Sequence, residues 1–382
     1  MSKAPLAGIR VIELARVLAG PWAGQLLADL GADVIKIESP GGDDTREWGP
    51  PFFENPDGTR DAAYFHSTNR GKRSVVVDLA SEQGANEVRR LAADADVIIE
   101  NFKVGGLAKY GLDYRKMAEL NKRLIYCSIT GFGQDGPYAT RAGYDFIIQG
   151  ISGLMDLTGD PDGEPQKIGV AFADIMTGLY SVIGIQAALS QRRETGVGQQ
   201  IDMALLDCMV GVLANQGLNF LSSGLSPTRL GNAHPNIAPY EVYATADHWF
   251  VLAIGNDSQF KSFCNLMGLQ QLPDDKRYKI NSARVANREA LRAEIAKVVQ
   301  AWRRDELLVA LEEIGVPAGP INSVAQAFSD PQVQFRQMQM YLQRSLDGVE
   351  FPGIRTPIQF SEAELSDAEP SPTLGSGELR WL

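Results

Sequence analysis

Histidine and cysteine are scarce in this chain of 382 residues. The three histidines (His66, His234, His248) and three cysteines (Cys127, Cys208, Cys264) stand far apart, with neither zinc-site spacing nor the density of a disulfide framework. Such usage fits a reducing, cytoplasmic setting. Cys127 lies in the strand-like run Leu124–Ile129 and reads as a buried structural thiol. The sequence shows no stretch of about 18 apolar residues and no signal-like apolar core at its amino terminus, so no membrane partner is expected. Positive charge is in deficit too: 36 Lys and Arg against 47 Asp and Glu give a net charge of -11, which argues against nucleic acid. No Gly-x-Gly-x-x-Gly follows the first β-branched run, where Ala15-Arg-Val-Leu-Ala-Gly20-Pro stands instead, and a nicotinamide or flavin dinucleotide is disfavoured. No tightly bound cofactor and no metal are expected.

What is present is a soluble-enzyme composition, with 44% hydrophobic and 22% charged residues, in a chain long enough for two domains. The first third alternates strand-like runs (9–14, 33–38, 74–79, 96–101, 124–129) with helical ones (20–30, 82–93). This pattern predicts an α/β fold, a doubly wound, mostly parallel and Rossmann-like sheet. Helical periodicity then runs from 144 to 189, and a second apolar helix from Asp202 towards Leu221. After the break at Ser222–Pro227, two strand-like runs, 239–244 and 249–254, form a plausible hairpin, followed by charged helices over 257–267 and 287–314. These predict a smaller α+β domain. The expected organisation is a large domain over 1–200, a helical linker over 201–227, the small domain over 228–314, and a Pro/Gly linker with return to the large domain over 315–382.

Asp174 carries the strongest chemical signal. In Gly169-Val-Ala-Phe-Ala-Asp174-Ile-Met-Thr-Gly178, one carboxylate stands among small and apolar residues at the start of a long helix. It reads either as an N-cap or as a nucleophile that attacks an acyl group through its ionised form. In a doubly wound sheet, ligands bind beyond the carboxyl ends of the strands, which brings Arg16–Leu18, Ser39, Val77–Ala80, Asn101–Lys103 and Gly131–Gly133 into view. The basic turn Asn69-Arg70-Gly-Lys72-Arg73 is either a phosphate anchor or a solvated turn. His234 stands in a loop where it reads as a carboxylate ligand or a structural residue, and Asp145 is either a helix cap or part of the site.

Taken in order, several segments resemble one family across almost the whole chain. They are Ala19-Gly-Pro before Asp33–Glu38, Asn69–Ser74, Glu100-Asn-Phe102, Ser128–Gly133, Arg141–Asp145, Ala173-Asp174, Gly231–Asn236 and Gly315–Pro320. They are similar to the class III coenzyme A transferases, the CaiB/BaiF group that includes formyl-CoA transferase.

The resemblance implies that Asp174 is the nucleophile, passing through an aspartyl anhydride and an aspartyl-CoA thioester, with coenzyme A as a substrate. It implies CoA contacts at Val17, Leu18, Ser39, Val77, Leu79, Ala80, Asn101, Phe102, Lys103, Lys109, Arg141 and Tyr144. Lys72 and Arg73 are added as phosphate anchors because Ser39, Ala80 and Lys109 depart from the formyl-CoA enzyme. Arg16, Tyr144, Asp145, His234 and Asn236 are expected to face the acceptor acid. Leu18 replaces a glutamine that faces oxalate in that enzyme, and Ala233-His-Pro-Asn-Ile replaces its glycine loop. A dicarboxylate paired with succinyl-CoA is therefore expected. The family also implies an interlocked homodimer as the partner state. Two rivals remain: a 2-methylacyl-CoA racemase, whose second base falls at Tyr144, and a non-catalytic acyl-CoA-binding protein.

Overall fold

A computed structural model describes residues 4–344, 348–366 and 369–382. The chain divides into two compact units: the described residues of Met1–Leu154, Lys167–Leu213 and Pro331–Leu382 form one, and Met155–Gln166 with Ala214–Asp330 form the other.

Six parallel strands build the first unit, in the spatial order Arg73–Val76, Asp33–Glu38, Arg10–Glu13, Val97–Glu100, Ile125–Thr130, Gln200–Ala204. Numbered along the chain this is 3-2-1-4-5-6, the order of a doubly wound nucleotide-binding sheet. The strands are β-branched because both faces are covered. Val11, Val97, Ile99 and Ile125 pack on one side with Leu27, Ile185 and Leu189. Their strand neighbours Ile12, Ile98 and Tyr126 pack on the other with Val88 and Leu91. The sheet turns over between Arg10–Glu13 and Val97–Glu100, and the loops leaving those two strands flank the crevice where such folds bind ligands.

Two expectations give way here. Gln200–Ala204 is the sixth strand, not the approach to a helix, so residues 201–213 stay with the first unit. The predicted helical stretch 144–189 is cut into Asp145–Ile151, Leu154–Leu157 and Phe172–Thr195, because Gly159, Pro161, Gly163 and Pro165 interrupt it. The Phe172–Thr195 helix is long and apolar enough, by length and composition, to cross a membrane, which the sequence reading did not register. In this fold its Thr177, Ser181, Ile185 and Ala188 are buried against the Ala19–Asp29 helix and the sheet. Gly178 permits the approach: a Cβ there would lie 2.8 Å from the Ala19 carbonyl oxygen.

The second unit carries the expected hairpin, Tyr240–Ala244 with Trp249–Ala253, and adds Ala318–Pro320 as a third antiparallel strand. That pairing keeps 315–330 in this unit. The expected helix over 287–314 is two, Arg288–Val299 and Arg304–Glu313. Phe250, Leu252, Phe263, Ile295 and Leu311 fill the core.

Candidate active site

Asp174 is the third residue of the Phe172–Thr195 helix, one turn inside the position an N-cap occupies. The capping is done by another residue. Asp145, first residue of the Asp145–Ile151 helix, accepts from the Ala173 N–H at 2.7 Å and the Asp174 N–H at 3.3 Å through one carboxylate oxygen. Its other oxygen accepts from the Gln149 amide at 2.7 Å, and Gln149 in turn accepts from the Ile168 N–H at 3.0 Å. Asp145 is thus a cap, but for its neighbour's helix. The Asp174 carboxylate is left partly buried, at the positive end of a 24-residue helix, with no hydrogen-bond donor among the described residues. Burial, and then the adjacent Asp145 charge, push it up from 3.8 to about 7. A carboxylate that is desolvated, poised near neutrality and not spent on a structural bond is the kind of perturbed group that gathers at functional sites.

Asp174 and Asp145 line a cavity of about 450 Å³ in the first unit. Its walls gather most of the residues expected from sequence: Arg16, Val17 and Leu18 from the first strand's loop, Asn101, Phe102, Lys103 and Lys109 from the fourth's, and Arg141 with Tyr144. The two loops are stitched together by Asn101, which accepts from the Arg16 N–H at 2.9 Å and donates to the Arg16 carbonyl at 2.7 Å. A second cleft of about 220 Å³ is lined by Ser39, Val77, Leu79 and Ala80, and shares Arg16, Phe102 and Tyr110 with the first. On the far wall the Gly131 turn lies against Gly143 so closely that a Cβ on Gly131 would meet the Gly143 Cα at 2.5 Å.

Two expected phosphate anchors are not available. Lys72 is fully buried, its ammonium 2.7 Å from Glu13 and bonded to the Pro21 carbonyl and Asn69. Arg73 is spent on both oxygens of Asp33 and on the Glu378 and Arg380 carbonyls. Both are structural ion partners, which a basic turn in sequence does not distinguish from a phosphate grip. The cations left at the cavity are Arg16, which also pairs with exposed Asp44 at 2.8 Å, and Lys103, Lys109 and Arg141, which form no ion pair with described residues. His234 and Asn236 belong to the second unit. There His234 Nδ1 accepts from the Asn236 N–H, its ring lies against Tyr240, and the Asn236 side chain accepts from Asn215 and Asn219.

Sequence reasoning missed three tyrosines. Tyr110 and Tyr138 lie under the Lys109 and Arg141 cations, at 4.6 and 3.8 Å from the ring centroids. Tyr64, in the short Ala63–His66 helix and edge-on to Trp48, has its phenol pushed up to about 12 by burial and by the charges of Asp174, Asp145 and Asp43. It sits within electrostatic reach of the candidate nucleophile, and nothing in the local sequence around it signals this. Among the described residues, no group of three or more His, Cys, Asp or Glu has metal-holding geometry.

Residues 6–378 match the family model described as CoA-transferase family III. The chain is 59% identical over 382 residues to the succinate–glutarate CoA-transferase of Agrobacterium fabrum, covering 100% of this chain and 95% of that one. It is 42% identical over 380 residues to the succinyl-CoA:glutarate CoA-transferase of Mus musculus, covering 98% and 85%. A solved CaiB/BaiF family protein from Brucella suis matches the fold with a TM-score of 0.87 at 61% identity, over 98% of this chain and 97% of that one. With that match from end to end, the chain belongs to CoA-transferase family III.

Proposed function

We propose that this CoA-transferase moves CoA from succinyl-CoA to a short dicarboxylate of the glutarate class, with Asp174 as the covalent nucleophile. The observation that carries the reading is the Asp174 carboxylate itself, unbonded and shifted to about 7 in a cavity that Arg16, Lys103, Lys109 and Arg141 also line. The relatives named for succinate or succinyl-CoA and glutarate support the substrate pair.

Asp174 attacks the thioester carbonyl, expelling CoA thiolate and leaving a succinyl–aspartyl anhydride. The thiolate attacks the aspartyl carbonyl, releasing succinate and forming an aspartyl-CoA thioester. The acceptor carboxylate then displaces the thiolate, giving a second anhydride. Thiolate attack on the acceptor's carbonyl yields the new acyl-CoA and returns Asp174. Each step exchanges one activated carbonyl for another, so no step needs an external acid or base. The Ala19 N–H, in the first turn of the Ala19–Asp29 helix at the cavity wall, has no intrahelical acceptor and suits a developing oxyanion. Lys103, Lys109 and Arg141 are suited to the CoA phosphates.

The working form is a homodimer. Phe146, Ile147 and Ile151 together with Leu179, Tyr180 and Ile183 leave an exposed apolar face on two neighbouring helices of the first unit, of the kind that a subunit contact covers. The substrate reading is tested by incubating the protein with succinyl-CoA and a panel of acids and following new thioesters by chromatography. Four- to six-carbon dicarboxylates should be used well and acetate poorly; equal use of acetate would overturn it.

A further inference from the structure

Val17 has a φ of 70°, the left-handed region that a β-branched side chain avoids. It is not in an idle loop: Val17 lies between the first strand and the Ala19–Asp29 helix and lines the cavity that contains Asp174. Strain of this kind persists only where the surroundings over-determine it. Here the surroundings are a chain of buried charges.

The Val17 N–H faces both carboxylate oxygens of Asp43, at 3.3 Å each. Asp43 is held in turn by the Thr45 N–H and hydroxyl at 3.0 and 2.8 Å, and by the Lys36 ammonium at 2.9 Å. Lys36 also donates to the Ala15 carbonyl at 2.8 Å and to Glu13 at 3.0 Å. Glu13 is paired at 2.7 Å with Lys72, which donates to the Pro21 carbonyl at 2.8 Å. All four ionised side chains are fully buried. Packed apolar residues could fill such a space with equal or greater stability, so a buried ion cluster calls for another role. Its contacts indicate one: three main-chain atoms of the 15–21 segment, the Ala15 oxygen, the Val17 nitrogen and the Pro21 oxygen, are each gripped by a member of the cluster.

We propose that Asp43, oriented by Lys36 and Thr45, is a positioning residue for CoA transfer: it holds Val17 in the left-handed conformation that shapes the cavity wall formed by residues 16–19. This rests on the reading of that cavity as the acyl-CoA site. The Glu13–Lys36–Lys72 cluster fixes the same segment on either side of Val17.

The test compares Asp43→Ala, Asp43→Asn, Val17→Gly and the double variant Asp43→Ala/Val17→Gly. It uses steady-state kinetics with succinyl-CoA and glutarate, calorimetric titration with free CoA, and thermal melts. Asp43→Ala removes both acceptors and should lower kcat/KM about tenfold or more, the cost of a slightly misplaced binding wall. Asp43→Asn keeps an oxygen for the Val17 N–H and should recover most of that loss, although both variants lose the charge beside Lys36 and melt lower. Val17→Gly should restore several-fold activity in the Asp43→Ala background, because glycine adopts the left-handed conformation without help, whereas in the wild type it should lower activity by removing a side chain of the cavity wall. Should Asp43→Ala not fold, Thr45→Val removes one orienting donor without changing a charge, and should lower kcat/KM with only a small change in melting.

Losses that are equal in Asp43→Ala and Asp43→Asn and track the melts, or a Val17→Gly effect identical in both backgrounds, would overturn the proposal. So would unchanged kinetics in Thr45→Val if that variant has to stand in. If the wild type exchanges no CoA, the transfer reading has failed separately. The CoA titrations then decide the positioning claim on the same pattern.

Discussion

Replacing Asp174 with asparagine should make the protein more stable while abolishing transfer. The sequence reading, with Asp174 as a possible N-cap, predicts a loss of about 0.5–2 kcal/mol when the carboxylate is removed. The structure reverses the sign, because Asp145 does the capping and Asp174 receives no hydrogen bond from a described group. At about 1.36 kcal/mol per pKa unit, the rise from 3.8 to about 7 means that ionised Asp174 costs the folded state about 4 kcal/mol. Its place at the helix N-terminus offsets this by about 0.3–1 kcal/mol, leaving about 3 kcal/mol. The folded-state pKa is raised, so the protonated carboxyl stabilises the fold fully below about 3.8, and that contribution is lost as pH rises through about 7. Asp174→Asn should therefore match the wild type near pH 4, gain on it between 4 and 7, and hold a constant lead above. Urea unfolding across that range, analysed per transition because the chain has two units, measures the gap. A variant no more stable than the wild type at pH 8 would refute the reasoning, since Asp174 would then be held by contacts the structure does not contain.

The acid limb of kcat/KM should fall near pH 7, and Asp145→Asn, which keeps an oxygen for the helix cap, should move it to lower pH. Burial is the larger of the two causes, so the move should be less than half the distance from about 7 to 3.8; a limb that does not move assigns it to another group, such as buried Glu100, also raised to about 7. Lys103→Ala and Lys109→Ala should each raise the KM for succinyl-CoA about tenfold, less at high salt, as lost phosphate contacts do. Arg73→Gln should leave that KM unchanged, because Arg73 is tied to Asp33 and the terminal carbonyls. Gly131→Ala should cost about 1–3 kcal/mol in a thermal melt, because its Cβ would overlap the Gly143 main chain.

The sheet was legible because strands buried on both faces leave uninterrupted β-branched runs in sequence. Gln200–Ala204 escaped because it is an edge strand whose Gln, Asp and exposed positions resemble the first turn of an amphipathic helix. Asp174 stood out in its apolar setting, and of the loops the strand-end rule picked out, Arg16–Leu18, Asn101–Lys103 and the Gly131 turn line its cavity, while Ser39 and Val77–Ala80 line the second cleft. What sequence did not carry were relations through space. The residue capping the Asp174 helix lies 29 positions earlier, Lys72 finds its counter-charge on another strand, and Tyr64 approaches Asp174 from a separate short helix. Each is fixed by tertiary packing, and none leaves a local pattern.

The central claim is that Asp174 itself forms the covalent intermediates of transfer. Intact-protein and peptide mass spectrometry after incubation with succinyl-CoA tests this directly. The account predicts a mass increase of one CoA less one water, mapped to the peptide containing Asp174, cleared by adding glutarate and absent from Asp174→Asn. An adduct on any other residue, or an unchanged adduct in Asp174→Asn, would contradict it.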